Sequence, residues 1–186
     1  YLSTDGNIDF GSVVYWKIPL LKKAASAFLN RIKDGSTADT ELKDAFRRFQ
    51  KANKHLDDYA LFMSIKEVYD AQAAQEGVSG KLWNNYWPKA LACRDIETLK
   101  RWAQEHRHEI DRYKVIQFFF FEQWTRLRQY ANEKGISIIG DIPIFVAPDS
   151  SDVWANQKLF QLDENGVPTA VAGVPPDYFS ATGQLW

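Results

Sequence analysis

Two places in the sequence gather side chains able to recognise a polar, ring-shaped ligand. One is the loop Gly173–Trp186, which carries Asp177, Tyr178, Phe179, Ser180, Gln184 and Trp186 behind the stiff pair Pro175-Pro176. Flat aromatic rings can stack on the apolar faces of pyranose sugars. Carboxylates and amides bind hydroxyl pairs through charge-assisted hydrogen bonds. The other place is Asp141, which follows the apolar run Ile136, Ile138 and Ile139. An acidic residue at the C-terminal end of a parallel strand sits where binding chemistry gathers. Each place also has a plainer reading. Tyr178 and Phe179 can be a local staple against the fold, and Asp141 can cap its strand or bond neighbouring backbone amides.

These residues need elements to position them. Residues 136–141 are expected as a buried parallel strand, because the isoleucines are β-branched and the run follows a long helix. Gly135 is the punctuation between the two, and Pro143 ends the ladder. Before it, apolar residues recur at helical spacing. Val14, Ile18, Leu21, Ala25, Phe28 and Ile32 predict a helix over 11–33, ended by Asp34-Gly35. Leu42, Ala45, Phe46 and Phe49 predict a second over 38–52, capped by Ser36 or Thr37. A third covers about 56–75, with Tyr59, Phe62, Met63, Lys66 and Tyr69 along it and Asp57 and Asp58 at its positive end.

Residues 77–95 read as a packed loop with a turn of helix, because Trp83, Tyr86 and Trp87 are too many aromatics for a wet linker. An outer sugar platform is the functional alternative there. Asp95, with Thr98 three residues on, resembles an N-cap for a helix to about His106. A long helix over 109–134 should turn Tyr113, Phe120, Trp124, Leu127 and Ala131 inward, with Phe118–Phe121 buried all round. Asp149 or Ser150 can cap a short helix to Asn156, in which Trp154 is a core anchor. Segments 158–162 and 167–172 flank Asp-Glu-Asn-Gly, a hairpin signal.

The blocks Gly-Asp-Ile-Pro-Ile-Phe-Val-Ala (140–147), Asp-Ser-Ser-Asp-Val-Trp-Ala-Asn (149–156) and Val-Ala-Gly-Val-Pro-Pro-Asp-Tyr-Phe-Ser-Ala-Thr-Gly-Gln-Leu-Trp (171–186) are long, in order and rich in rare residues. The sequence in these blocks resembles the amylomaltases, bacterial 4-α-glucanotransferases also called disproportionating enzymes. They fill the last quarter of the chain. The rest is similar more loosely, through Trp87-Pro88, Arg94-Asp95 and Gln123-Trp124. The resemblance implies an α/β fold, part of a (β/α)8 TIM barrel with a large helical insertion. Residues 1–108 would be the helical insertion, and 109–186 the barrel helix, strand and active-site loop. It implies transfer of α-1,4-glucan segments to acceptor sugars by a retaining double displacement. The nucleophile, the acid/base and a stabilising carboxylate are expected after Trp186, so the chain looks like an internal fragment without catalytic residues of its own. The matching loop in the family lies over the active-site groove. Asp141, Asp177, Tyr178, Phe179, Ser180 and Trp186 are therefore the expected substrate-binding residues, with α-1,4-glucan or maltooligosaccharide as partner. A hydrolase on the same barrel and a non-catalytic carbohydrate-binding fragment are the alternatives.

Composition limits the other classes. A net charge of −1 gives no electrostatic case for nucleic acid. One cysteine, Cys93, excludes an internal disulfide and fits a reducing compartment, so a cytoplasmic location is expected. The three histidines suggest no metal site, no cofactor is called for, and no apolar run approaches the ~20 residues that span a membrane. A full barrel needs about 250 residues, more than the 186 present. Most of the seven tryptophans are expected in core packing.

Overall fold

A computed structural model describes residues 7–34, 37–143 and 145–185. The chain is mainly helical. In order come α1 (Phe10–Asp34), α2 (Thr37–Ala52), α3 (His55–Gln75), α4 (Trp83–Tyr86), α5 (Lys89–Ala92), α6 (Ile96–Glu105), α7 (Arg107–Glu133) and α8 (Ser151–Ala155), followed by a 3-10 turn (Gln157–Leu159). A two-stranded antiparallel sheet, β1 (Gly173–Val174) with β2 (Gln184–Leu185), closes the series. The described residues fall into two compact units. One lies within Tyr1–Ser64 and Ala103–Ile142, the other within Ile65–Trp102 and Pro143–Trp186. None of the helices among the described residues is long and apolar enough to cross a membrane.

The first unit is a helical assembly in which α1 and α2 pack on α7. Its core is aromatic. Phe28, Phe46 and Phe118 are buried, with ring centroids 5.4–5.8 Å apart. Edge-on and tilted packing places ring hydrogens against neighbouring π faces, which adds to the burial term. Ala25 and Val115 are fully buried beside them, small or β-branched where the helices come close. The first part of α3 joins through an ion pair from Lys114 to Asp57 and a hydrogen bond between Gln117 Nε2 and the Tyr59 hydroxyl at 3.2 Å. Helix α7 ends in a Schellman turn. Gly135 has φ +73°, its N–H reaches the Asn132 carbonyl, and the Ile136 N–H reaches Ala131. That geometry needs a left-handed residue, which glycine adopts without strain.

Several expectations change here. Phe118–Phe121 is not buried all round: Phe118 is buried, but Phe120 is 57% exposed, and Leu127 is exposed as well. Four consecutive helical residues point in four directions, and neighbours cover only part of them. The first half of α1 is likewise open at Val14 and Ile18, whereas Ala25, Phe28 and Ile32 are buried. Residues 136–141 form no strand, and Ile136, Ile138, Ile139 and Ile142 are all exposed. A strand is defined by its hydrogen-bonded neighbours, and among the described residues the only sheet is β1–β2. The Ser36 or Thr37 cap lies outside the described residues and side chains.

The second unit is held by tryptophans that combine burial with a satisfied indole N–H. Trp83 Nε1 donates to the Pro148 carbonyl at 2.9 Å, and Trp154 Nε1 to the Leu91 carbonyl at 3.0 Å. Trp83, Trp87 and Trp154 are buried, so residues 77–95 are packed and carry two short helices; Trp83 and Trp87 are core, not an outer platform. Trp87 meets Trp154 edge-on at 5.9 Å, and the Arg94 guanidinium lies 4.2 Å from the centre of the Trp154 ring. Arg94 has φ +59°, a left-handed conformation uncommon outside glycine. The Asp95 cap is present, with Oδ1 accepting from both the N–H and the hydroxyl of Thr98. Ser150 Oγ caps α8 through the Val153 N–H, and Asp149 instead pairs with Lys66 at 2.6 Å.

The Asp-Glu-Asn-Gly turn forms. Asp163 Oδ1 accepts from the Asn165 and Val167 amides, and Gly166 takes φ +76°. The expected hairpin around it is reduced to a single bridge, Leu162 to Pro168, and 157–159 is a 3-10 turn instead of strand. The Asp163 N–H reaches the Val167 carbonyl at 2.9 Å and the Thr169 N–H the Gln161 carbonyl at 2.8 Å, so Pro168 sits at the non-hydrogen-bonded position of the pair, where its missing N–H costs no bond.

Candidate functional site

The loop between β1 and β2 is a self-contained construction. Gly173 pairs with Leu185 and Val174 with Gln184. Both glycines at its base allow a close approach of two backbones. A Cβ on Gly173 would lie 2.6 Å from the Gln184 carbonyl oxygen, and one on Gly183 would lie 2.4 Å from that of Val174. Gly183 also has φ +74°. Both glycines thus serve close packing at the base of the loop.

Past Pro175-Pro176 the chain turns back at Asp177. One carboxylate oxygen of Asp177 accepts from the Phe179 N–H at 2.9 Å and the Ser180 N–H at 2.8 Å. The Asp177 N–H donates to the Ser180 carbonyl at 2.9 Å. Ser180 Oγ donates to the Gly183 carbonyl at 2.6 Å. The turn throws Tyr178 and Phe179 outward. They are 97% and 88% exposed, and they meet each other edge-on at 5.5 Å. Among the described residues neither ring packs into the core. Their faces are free for a flat apolar partner. Gln184 is exposed in β2, and Trp186 lies outside the described residues.

Asp141 belongs to the other compact unit. It is exposed, and its Oδ1 accepts from the Ile142 N–H at 2.8 Å, the local backbone bond that the plainer reading foresaw. The structure therefore brings Asp177, Tyr178, Phe179 and Ser180 into one turn. The second unit also has a cavity of about 550 Å³ along 145–172, walled by Phe145, Val146, Phe160, Leu162 and Val171. Its lining is almost wholly apolar, so it lacks the hydroxyl-binding groups that the loop supplies. Among the described residues no cluster of three or more His, Cys, Asp or Glu could hold a metal ion.

A family model described as 4-alpha-glucanotransferase matches residues 2–186. The chain belongs to this family. Among its relatives is a 4-alpha-glucanotransferase of Thermus thermophilus, 42% identical over 182 residues, which covers 97% of this chain and 33% of the relative. Another, of Synechocystis sp., is 40% identical over 185 residues and covers 98% and 34%. Among solved structures, an amylomaltase from Streptococcus agalactiae in complex with acarbose superposes with a TM-score of 0.80 at 36% identity, over 96% of this chain and 33% of that one. The chain thus spans about a third of the length of the curated relatives it matches.

Proposed function

We propose that this chain is the part of a 4-α-glucanotransferase that carries the acceptor-side loop. The parent enzyme moves α-1,4-glucan segments between maltooligosaccharides by retaining double displacement: a carboxylate attacks the anomeric carbon, and a sugar hydroxyl then displaces it in place of water. In this reading residues 1–108 are a helical insertion. Residues 109–186 supply a helix, a strand and a loop of a (β/α)8 barrel, with 136–141 gaining its sheet neighbours from the parent chain. Asp141 and Trp186 join Tyr178, Phe179 and Ser180 around the glucan, with Asp177 in the turn that carries the two aromatics. The near-neutral charge and single cysteine support a cytoplasmic enzyme that acts on uncharged sugars.

The observation that carries the proposal is the outward aromatic pair, Tyr178 and Phe179, on a loop braced by its own hydrogen bonds. An aromatic loop that stacks the acceptor and excludes water favours transfer over hydrolysis. Tyr178→Ala in the full-length enzyme tests it. Loss of one stacking face should cost about 1–1.5 kcal/mol, an effect of up to roughly tenfold on acceptor use. Donor cleavage and melting temperature should stay close to wild type. An unchanged ratio of transfer to hydrolysis together with a large fall in melting temperature would make Tyr178 a structural residue and sink the proposal.

A further inference from the structure

We propose that Asp177 is a positioning residue: it works on the loop backbone, not on the sugar, and through that backbone aims Tyr178 and Phe179 at the acceptor. The inference rests on the acceptor-side reading of the loop given above.

Among the described residues no core packing holds the two rings in place. Tyr178 and Phe179 are 97% and 88% exposed, and their only ring partners among the described residues are each other. A buried side chain is aimed by packing. An exposed one is aimed by the φ and ψ of its own residue and by its rotamer. The direction of these rings is therefore decided by the backbone of 177–180.

That backbone is fixed chiefly by Asp177. Its Oδ1 takes the amide protons of Phe179 and Ser180, and its own N–H closes on the Ser180 carbonyl. Asp177 is bonded at both ends to the turn that contains the aromatics. Ser180 ties the same turn to Gly183 through its hydroxyl, and the Gly183 N–H returns to the Ser180 carbonyl at 3.2 Å. Among the described residues every hydrogen bond of the loop is internal to 173–185. A turn that braces itself arrives with the rings already oriented, so less ordering cost falls on the bound state.

The two bonds need an oxygen acceptor and not a negative charge. This separates the positioning role from that of a charged hydroxyl ligand. Asp177→Asn keeps a carbonyl oxygen at the place of Oδ1, whereas Asp177→Ala removes it. In the full-length enzyme, with maltotriose as donor and glucose as acceptor, Asp177→Ala should raise the acceptor KM by roughly three- to tenfold, bounded by the effect of Tyr178→Ala on which it acts. The acceptor KM should move more than the donor-cleavage kcat. Asp177→Asn should restore the acceptor KM to within about twofold of wild type. Asp177→Ala added to Tyr178→Ala should have a clearly smaller effect than in wild type, because the larger of the two rings it aims is gone.

Overturning results are equally distinct. Asp177→Asn as impaired as Asp177→Ala would show that the charge touches the ligand. Fully additive effects of Asp177→Ala and Tyr178→Ala would show that Asp177 does not act through the ring, and an Asp177→Ala enzyme with wild-type acceptor KM would show that the turn needs no brace. Failure of the underlying reading looks different: Tyr178→Ala itself would then leave acceptor use unchanged.

Discussion

Single residues in this chain join two tasks that are often separate, filling space and satisfying a polar group. Trp154 is fully buried, yet its indole N–H is spent on the Leu91 carbonyl and its face on Arg94. Trp154→Phe should keep part of the packing and remove one of the donors to that carbonyl, the Arg94 N–H remaining at 3.2 Å, at about 0.5–1.5 kcal/mol; urea unfolding gives the value. A second residue-scale prediction concerns acid. The Asp95 carboxyl is held below its ordinary value by its bonds to the Thr98 hydroxyl and amide. Its folded pKa is depressed, so its contribution is complete above the ordinary carboxylate range and is lost as pH falls through the lower folded value. Asp95→Ala should therefore flatten the acid end of the stability–pH curve and leave its shape above about pH 6 unchanged.

At the scale of elements, the loop base is the sharpest case. Gly183→Ala would place a methyl 2.4 Å from the Val174 carbonyl at a φ of +74°. At least about 1 kcal/mol of backbone strain is expected, and β1–β2 pairing should open. Faster hydrogen exchange at the Val174 and Gln184 amides is the readout, and unchanged protection would refute the close-packing role. At the N-terminus of α8, Ser150→Ala should cost about 1 kcal/mol through the lost bond to the Val153 amide, measurable as a fall in melting temperature.

What the sequence showed and hid follows the range of the forces. The seven helical turns of α7, its stop at Gly135 and the Asp95 cap depend on residues a few positions apart, and they were legible. So was the Asp163 turn. The strand at 136–141 depends on partners far along the chain, which local pattern cannot supply. The aromatic loop was legible as a candidate from its composition. The service of Asp177 to the backbone was hidden, because an Asp two residues before a Phe has no fixed partner until the turn closes.

At the scale of the whole molecule, the open isoleucines at 136–142 offer a test of the parent fold. Ile139 is 93% exposed. In this chain alone Ile139→Ser should change stability by no more than about 0.5 kcal/mol. In the full-length enzyme, where the segment is proposed as a barrel strand, the same change should cost about 2–4 kcal/mol. Equal small effects in both proteins would remove 136–141 from the barrel. In the first unit, Phe28→Ala should cost about 3–5 kcal/mol in either protein, since its cavity would open inside a core that the chain already contains.

Cys93, the single cysteine, is exposed at the end of α5, next to the arginine that covers Trp154. A thiol-reactive dye can therefore be attached at one defined place without altering another residue. Among the described residues Trp83, Trp87, Trp102 and Trp154 lie in the same compact unit as that thiol, and Trp16 and Trp124 in the other. Quenching of the dye would follow the melting of one unit while helix circular dichroism follows both. Coincident curves would mean that the two units melt as one cooperative body, and separate curves that each has its own transition.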